Sequence, residues 1–522
     1  MQAFGPWLPD LPAYRDFGLL KARNVVPQTD LSYGPFASPV EQTPALTAFC
    51  RGLSSARTAS GAAAMFAGTA TSLYRLDPGT ISSSETWSDG TLFSDATGWA
   101  STIMSGADWT DVSKIGGYGL DDSERWKFLT FGVDLIAGGS LAFDLQSYDM
   151  TTVGEFDDLG SNLPRGKYLA IVADRLMLAH TWDVSGGTKS RRIWWSARGN
   201  PASFPTPGTI SAAEVESDYQ DLEGGGDLMG ILPSIGGADA SVFGESRIWT
   251  LYDIGPPAFF QIDAKEQGRG ASVPGSIVQV GNVAFYWSRE GVFVFDGASS
   301  TPIGGDKVNN YLLGDFDESK KRLVWAAQDL RRNLVMWAYP SGANQSVADK
   351  MLVYNWKTGN FSFVELNVQA LHAVETRGLT LEELDAYGTL ETLPFSLDDP
   401  SLKGGYQYLA AVTSNAKVAS FTGAPLEAEV ETADIPFPRG GRAFYRGARI
   451  YTDANGIMGR LIYRNDLSEE PDEKAWRAAA ADYMIHDRRN ARFIRIGAKI
   501  PAGTTWTHLQ GYDIDARPGG RR

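Results

Sequence analysis

Cysteine is nearly absent. Cys50 is the only one in the chain, so no disulfide forms within it and a cysteine-rich metal site is excluded. Its burial as a small apolar residue is the expectation. Histidine is almost as scarce: His180, His372, His486 and His508 stand apart, with no pair at zinc-binding spacing. No apolar run approaches the roughly twenty residues that a membrane-spanning helix needs. The N-terminus, MQAFGPWLPDLPAY, lacks the basic start and continuous apolar core of a signal peptide. Positive charge is in deficit, 47 Lys and Arg against 62 Asp and Glu, a net −15. That sign repels phosphate backbones and argues against tight DNA binding, though not against DNA passing close by.

What is present is β-forming. Fifteen Trp, twenty Tyr and 43% apolar residues supply a core, and 57 Gly with 26 Pro, not periodic, supply turns. The clearest stretch is 274–304, PGSIVQVGNVAFYWSREGVFVFDGASSTPIG. Apolar runs at Ile277–Val280, Val283–Trp287 and Val292–Phe295 are separated by Gly-Asn and Arg-Glu-Gly turns, which predicts short antiparallel strands in hairpins. Weaker copies recur from residue 60 to residue 421 at intervals of roughly 40–50 residues, the period of four-stranded propeller blades. One copy is expected at Trp126–Phe131, Asp134–Ala137 and Leu141–Leu145.

The fold class is therefore mainly β: a β-propeller-like repeat of short antiparallel strands, an additional C-terminal β-module and an extended N-terminal arm. The expected domains are a Pro-rich arm over 1–60, a propeller-like domain with insertions over 61–424, and a C-terminal β-module over 425–522. The insertions fall at about 80–119 and 375–400, the second holding a short helix start at Thr380. In the arm, Trp7, Tyr14 and Phe17 are candidate contacts to a neighbouring subunit.

A search for chemistry yields little. No G-x-S-x-G elbow is present. Gly224-Gly225-Gly226-Asp227 lacks the ending of a phosphate-binding loop and reads as a turn. Asp108–Asp111 and Asp315–Glu318 do not match a calcium loop. The basic clusters at Lys189–Arg192, Lys320–Arg322, Arg331-Arg332 and Arg488-Arg489 are short and scattered, fitting solvated turns. No catalytic, cofactor-binding or metal-binding residue is assigned, and the expectation is that the chain is not an enzyme.

Several segments together carry a resemblance: FGPWLPDLPAY with ARNVVP, FAGTATSLYRLD, SDYQDLEGGG, GRGASVPGSIVQVGNVAFYWSREGVFVFDG with STPIG, MLVYNWKTGNFSFVE, and the LEELD…LPFSLDD stretch. In style and order they resemble the tail nozzle, or tail tubular protein B, of short-tailed bacteriophages (podoviruses). The resemblance implies a structural virion protein of the phage tail, assembled in the host bacterial cytoplasm as a homo-oligomer, a hexameric ring. Its implied partners are the tail adaptor, or head-to-tail connector, protein and the tail fibres or spikes. Genome DNA would cross the channel during ejection without tight binding, and no membrane insertion is implied. The alternatives are a propeller-fold protein binding or cleaving surface polysaccharide, or another tail hub or fibre-attachment component.

Overall fold

A computed structural model describes residues 1–15, 17–57, 63–76, 108–342, 346–375, 407–437 and 441–519. The expected helix start at Thr380, and most of the insertion expected near 80–119, lie outside them.

The hairpins of 274–304 form as the sequence predicts: strands Val278–Val280, Val283–Ser288 and Gly291–Phe295, with a fourth at Ser300–Pro302, pair in consecutive antiparallel order. Six further sheets repeat this plan. Their innermost strands are Gly52–Arg57, Lys127–Phe131, Arg165–Val172, Leu228–Pro233, Trp325–Asp329 and the second half of Asn360–Glu375. Numbered in chain order, the sheet around residue 280 is blade 5. Inner strands lie alongside one another from blade 1 to blade 4 and from blade 5 to blade 7, blades 4 and 5 meet through Met229, Phe243, Ala284 and Tyr286, and the inner strand of blade 7 lies against that of blade 1. The result is a closed β-propeller of seven blades.

One strand serves two blades. Asn360–Glu365 is the outer strand of blade 6, and Val368–Glu375 is the inner strand of blade 7. Blade 7 adds Gln407–Thr413 and Val418–Ser420, and its outermost strand comes from the other end of the chain, Val40–Glu41. Each junction between blades is filled by apolar side chains, as a blade with two apolar faces requires. Blades 7 and 1, for example, share Leu53, Met65, Val374 and Val412. Cys50 is buried at this junction, where its N–H donates to Gln369 Oε1 (3.0 Å) and burial pushes its thiol up to about 12.

Blade 2 departs from the expected pattern. Its third strand is Gln146–Asp149 rather than Leu141–Leu145. The Leu141 N–H donates to the Glu124 carboxylate (3.0 Å), and the Ala142 N–H to Ser140 Oγ (3.0 Å), so this segment is committed to a loop. A helix at Gly305–Asp315 follows blade 5, in a sequence with two Gly and two Asn.

The C-terminal residues form a second body, and residues 1–35 belong to it. Gln2–Ala3 and Tyr33–Pro35 pair with Leu509–Pro518, and Leu19–Arg23 pairs with Ala428–Thr432. Leu19–Arg23 also meets the outer strand of blade 6 in parallel, at Arg23 and Phe363. One continuous sheet therefore runs from blade 6 into the C-terminal module.

Asn24 sits at the seam, nearly buried, with φ at 56°, a left-handed conformation that asparagine tolerates. Its N–H donates to the Phe363 carbonyl (2.8 Å), its Oδ1 accepts from the Glu365 N–H (2.9 Å) and its Nδ2 donates to the Glu427 carbonyl (2.8 Å). Trp7 is packed nearby against Tyr311 and Phe363, ring centroids 5.0 and 5.2 Å away.

Two substitutions test this seam by urea denaturation. Asn24→Ala removes two part-buried hydrogen bonds, from the Glu365 N–H and to the Glu427 carbonyl, and should cost about 2 kcal/mol. Trp7→Ala should cost about 3–5 kcal/mol, the range for truncating a buried large aromatic. No change in either would remove the seam from the account.

Candidate functional site

A propeller offers its axis as a natural site, because every inner strand presents residues there. At the face where the inner strands begin, one short segment lies across the mouth: Asp121-Asp122-Ser123-Glu124-Arg125-Trp126-Lys127, leading into blade 2.

Its residues have separate tasks. Glu124, almost fully buried, accepts from Ser140 Oγ (2.5 Å) and the Leu141 N–H, anchoring the segment to its own blade. Trp126 is wedged between blades 1 and 2, its Nε1–H donating to the Thr69 carbonyl (2.7 Å). The wedge fits because Gly68 has no side chain; a Cβ there would lie 2.1 Å from the indole.

Arg125 reaches to the opposite side. Its guanidinium stacks over the Trp325 ring, 4.1 Å from the centroid, and its Nη2 donates to the Arg322 carbonyl. Gly275 completes this seat, since a Cβ on it would lie 1.9 Å from the Val324 carbonyl oxygen and 2.6 Å from Arg125 Nη1. Trp325 and Arg322 lead into blade 6 and Gly275 into blade 5, which together stand opposite blade 2 in a seven-membered ring. Asp122 reinforces the span by pairing with Arg51 of blade 1 (2.5 Å) and Arg322 (3.1 Å). The mouth of the axial channel is thus crossed by a strap fixed at both ends.

Behind the strap, Lys127 is accessible to water, yet desolvation lowers its pKa. His372, from the inner strand of blade 7, is held down to about 4, first by desolvation and then by the charge of Lys127. Arg125 is lowered to about 9, chiefly by desolvation, and burial raises the Tyr168 phenol despite the nearby Arg125. His180 is lowered as well, by desolvation and then by Lys167. Inner strands of this acidic chain therefore carry basic residues, Lys127 in blade 2, Lys167 in blade 3 and His372 in blade 7. Beyond the inner strands, Arg57 of blade 1 pairs with Glu375 of blade 7 (3.2 Å) and closes the ring at the other end.

The residues singled out from sequence lie elsewhere. Trp7 is in the core of the chain itself, 1% exposed, so it does not offer a surface to a neighbouring subunit; Tyr14 and Phe17 are more than half exposed. Gly224, Gly225 and Gly226 all adopt positive φ in a turn against Arg247 and Glu245. Each of the four basic clusters contains an arginine paired in place: Arg192 with Asp221 (2.7 Å), Arg322 with Asp122, Arg332 with Asp329, and Arg489 with Asp472 (2.6 Å). Among the described residues no group of His, Cys, Asp and Glu could hold a metal ion. No described helix is long and apolar enough to cross a membrane. Sequence reading missed Arg125, Lys127 and the partnership of Lys127 with His372; the one local signal was three charged residues crowded around Trp126.

No family model matches the chain, and no curated protein does. Solved structures similar to it include a functionally unknown protein from Desulfotomaculum acetoxidans (12% identity, 64% of this chain and 95% of that one, TM-score 0.33). The Pan2 WD40 domain of Neurospora crassa is similar at 8% identity, over 74% of this chain and 88% of that one, with a TM-score of 0.33. An exo-beta-1,3-galactanase from Phanerochaete chrysosporium is similar at 9% identity, over 77% and 98%, with a TM-score of 0.24. Glycoside hydrolases among the similar structures overturn the expectation that the chain is not an enzyme, and that expectation is withdrawn. No activity follows from likenesses this distant.

The His372 environment makes a prediction about acid. The unfolded chain protonates this ring near 6.5 and the folded chain only near 4. Between those values the unfolded state holds more protons, so stability falls as pH falls. His372→Asn should flatten the loss of stability between pH 6.5 and 4 in urea titrations, and an unchanged slope would contradict the placement.

Proposed function

We propose that this chain is a structural subunit of a phage virion, the tail nozzle that extends the portal and adaptor channel. The observation that carries this reading is where the segments of resemblance fall. FGPWLPDLPAY and ARNVVP lie on the seam, FAGTATSLYRLD on the second and third strands of blade 1, and SDYQDLEGGG on the outer strand of blade 3 and the turn into blade 4. GRGASVPGSIVQVGNVAFYWSREGVFVFDG forms blade 5, and MLVYNWKTGNFSFVE forms the outer half of blade 6. These are framework segments in both bodies, and the LEELD…LPFSLDD stretch lies outside the described residues.

On this reading six copies meet as a ring, and the genome passes between copies rather than along the strapped axis of any one propeller. Head-to-tail contacts build such a ring, and exposed Tyr14 and Phe17 are available to them. The net −15 of each copy keeps DNA sliding rather than bound. The adaptor above and the fibres or spikes at the side are the partners. A second reading, a propeller that binds or cleaves surface polysaccharide, accords with the glycoside hydrolases among the similar structures.

Immunogold electron microscopy of purified virions, with antibody against this chain, separates the two. Label at the distal end of the tail is the expected result. Unlabelled particles, with the chain in the soluble fraction and cleaving bacterial surface polysaccharide, would reverse the order of the readings.

A further inference from the structure

We infer that the chain docks head to tail on a second copy of itself, the outward face of its C-terminal sheet seated against the rim of blade 2 on the neighbour. The inference rests on the reading of a ring of copies and names the surfaces that meet in it. Charge is divided unequally along the chain. Residues 425–522 hold sixteen Lys and Arg against fourteen Asp and Glu, so the whole negative excess is carried by the residues before them. Bodies so unlike in charge attract one another between copies, and a contact between two different surfaces is heterologous, as a ring requires.

The basic surface is built by strand register. Phe444, 37% exposed, lies opposite Asn490 on one side and Arg517 on the other. Arg446 and exposed Arg488 fall in the bulge that follows, where Met484–Ala491 is the edge strand of its sheet. Arg446 reaches Asp515 only at 3.8 Å. The side chains of exposed Arg488 and Arg517 hold no carboxylate among the described residues. An open aromatic ring among arginines is the composition of an interface core.

The rim of blade 2 has the complementary character. Asp134 and Asp149 are opposed in register across two strands, a like-charge pair that costs stability. Neither holds a cation among the described residues; Asp149 accepts from the N–H and hydroxyl of Thr151 in its own turn (2.8 and 2.6 Å). The Met150 N–H donates to the Val133 carbonyl (3.2 Å), which joins the two turns of this rim. Val133 and Val153 on those turns are 52% and 91% exposed. Apolar side chains beside unpaired carboxylates suit Phe444 and its arginines, whereas a nucleic-acid backbone is repelled by the charge of the rest of the chain.

Sedimentation equilibrium of the full chain at low and high salt tests the contact with charge reversals at exposed positions. The expected result is self-association that weakens at high salt. It should weaken about tenfold or more in Arg488→Glu and in Asp149→Lys, recover in the chain carrying both, and stay unchanged in Lys189→Glu on an outer turn of blade 3. Wild-type association that neither reversal weakens would overturn these surfaces and leave the ring reading standing. Weakening by each reversal without recovery in the double variant would overturn their pairing. A wild-type chain monomeric at both salt concentrations would overturn the contact and the ring together. Unchanged association in Arg488→Glu with lost binding of a double-stranded oligonucleotide would assign the arginines to nucleic acid instead.

Discussion

The structure depends on strand pairing by residues 1–46. Within that length the chain supplies four strands to the C-terminal module, joins the module to blade 6 and provides the outermost strand of blade 7. A propeller has no edge to spare, because its first and last blades must meet, and here the two ends of the ring are tied by a strand from one and three from the other. The same segment that closes the ring first threads the module, so neither body is complete without it. The backbone bonds at Asn24, Gln42 and Leu46 mark the path: they run to Phe363, Val418 and Ala416.

Charge is arranged differently in the two bodies. On the shared sheet, Arg23 meets Glu365, Glu427 and Glu429, while Arg495 holds Glu431 and Asp434 and Arg460 holds Glu431 and Glu473. Asp434, Glu429 and Glu431 are almost fully buried, and buried carboxylates persist only when paired in this way. At the propeller axis, by contrast, Arg125 is held without a carboxylate, by stacking on Trp325 and by donating to the Arg322 carbonyl. His372 on the inner strand of blade 7 stays uncharged down to about pH 4, first because it is desolvated and then because of the charge of Lys127.

The parts of the fold legible in sequence were those whose apolar pattern is local. Val283–Trp287 and Val292–Phe295 alternate with tight turns, and their strands fall where the turns predict. The outer strand of blade 6 was legible at Phe361–Val364, but the shortest outer strands were not. Asp157–Asp158, Ser300–Pro302 and Val40–Glu41 are two or three residues long and mostly polar, since one edge faces water, and they pair only because the strand inside them is already in place. The helix Gly305–Asp315 has poor helix formers and is fixed by tertiary contacts instead. Asp10 of the N-terminal segment accepts from the N–H groups of Asn310 and Tyr311, and Asn309 bridges Val292 and Glu290. At the axis, Glu124-Arg125-Trp126-Lys127 could be seen as a charged cluster. Nothing local announced that Arg125 crosses to Trp325, or that Lys127 lies near a histidine of the last blade, because both depend on closure of the ring.

The central claim is that one N-terminal segment clasps both bodies into a single structure. Hydrogen–deuterium exchange on the intact chain measures this at single amides. The account predicts that Asn24, Gln42 and Leu46 exchange as slowly as the inner strands of the blades, since each amide is bonded across the join between the N-terminal segment and a blade. Exchange of these amides as fast as the exposed turns, with the blades still protected, would contradict it.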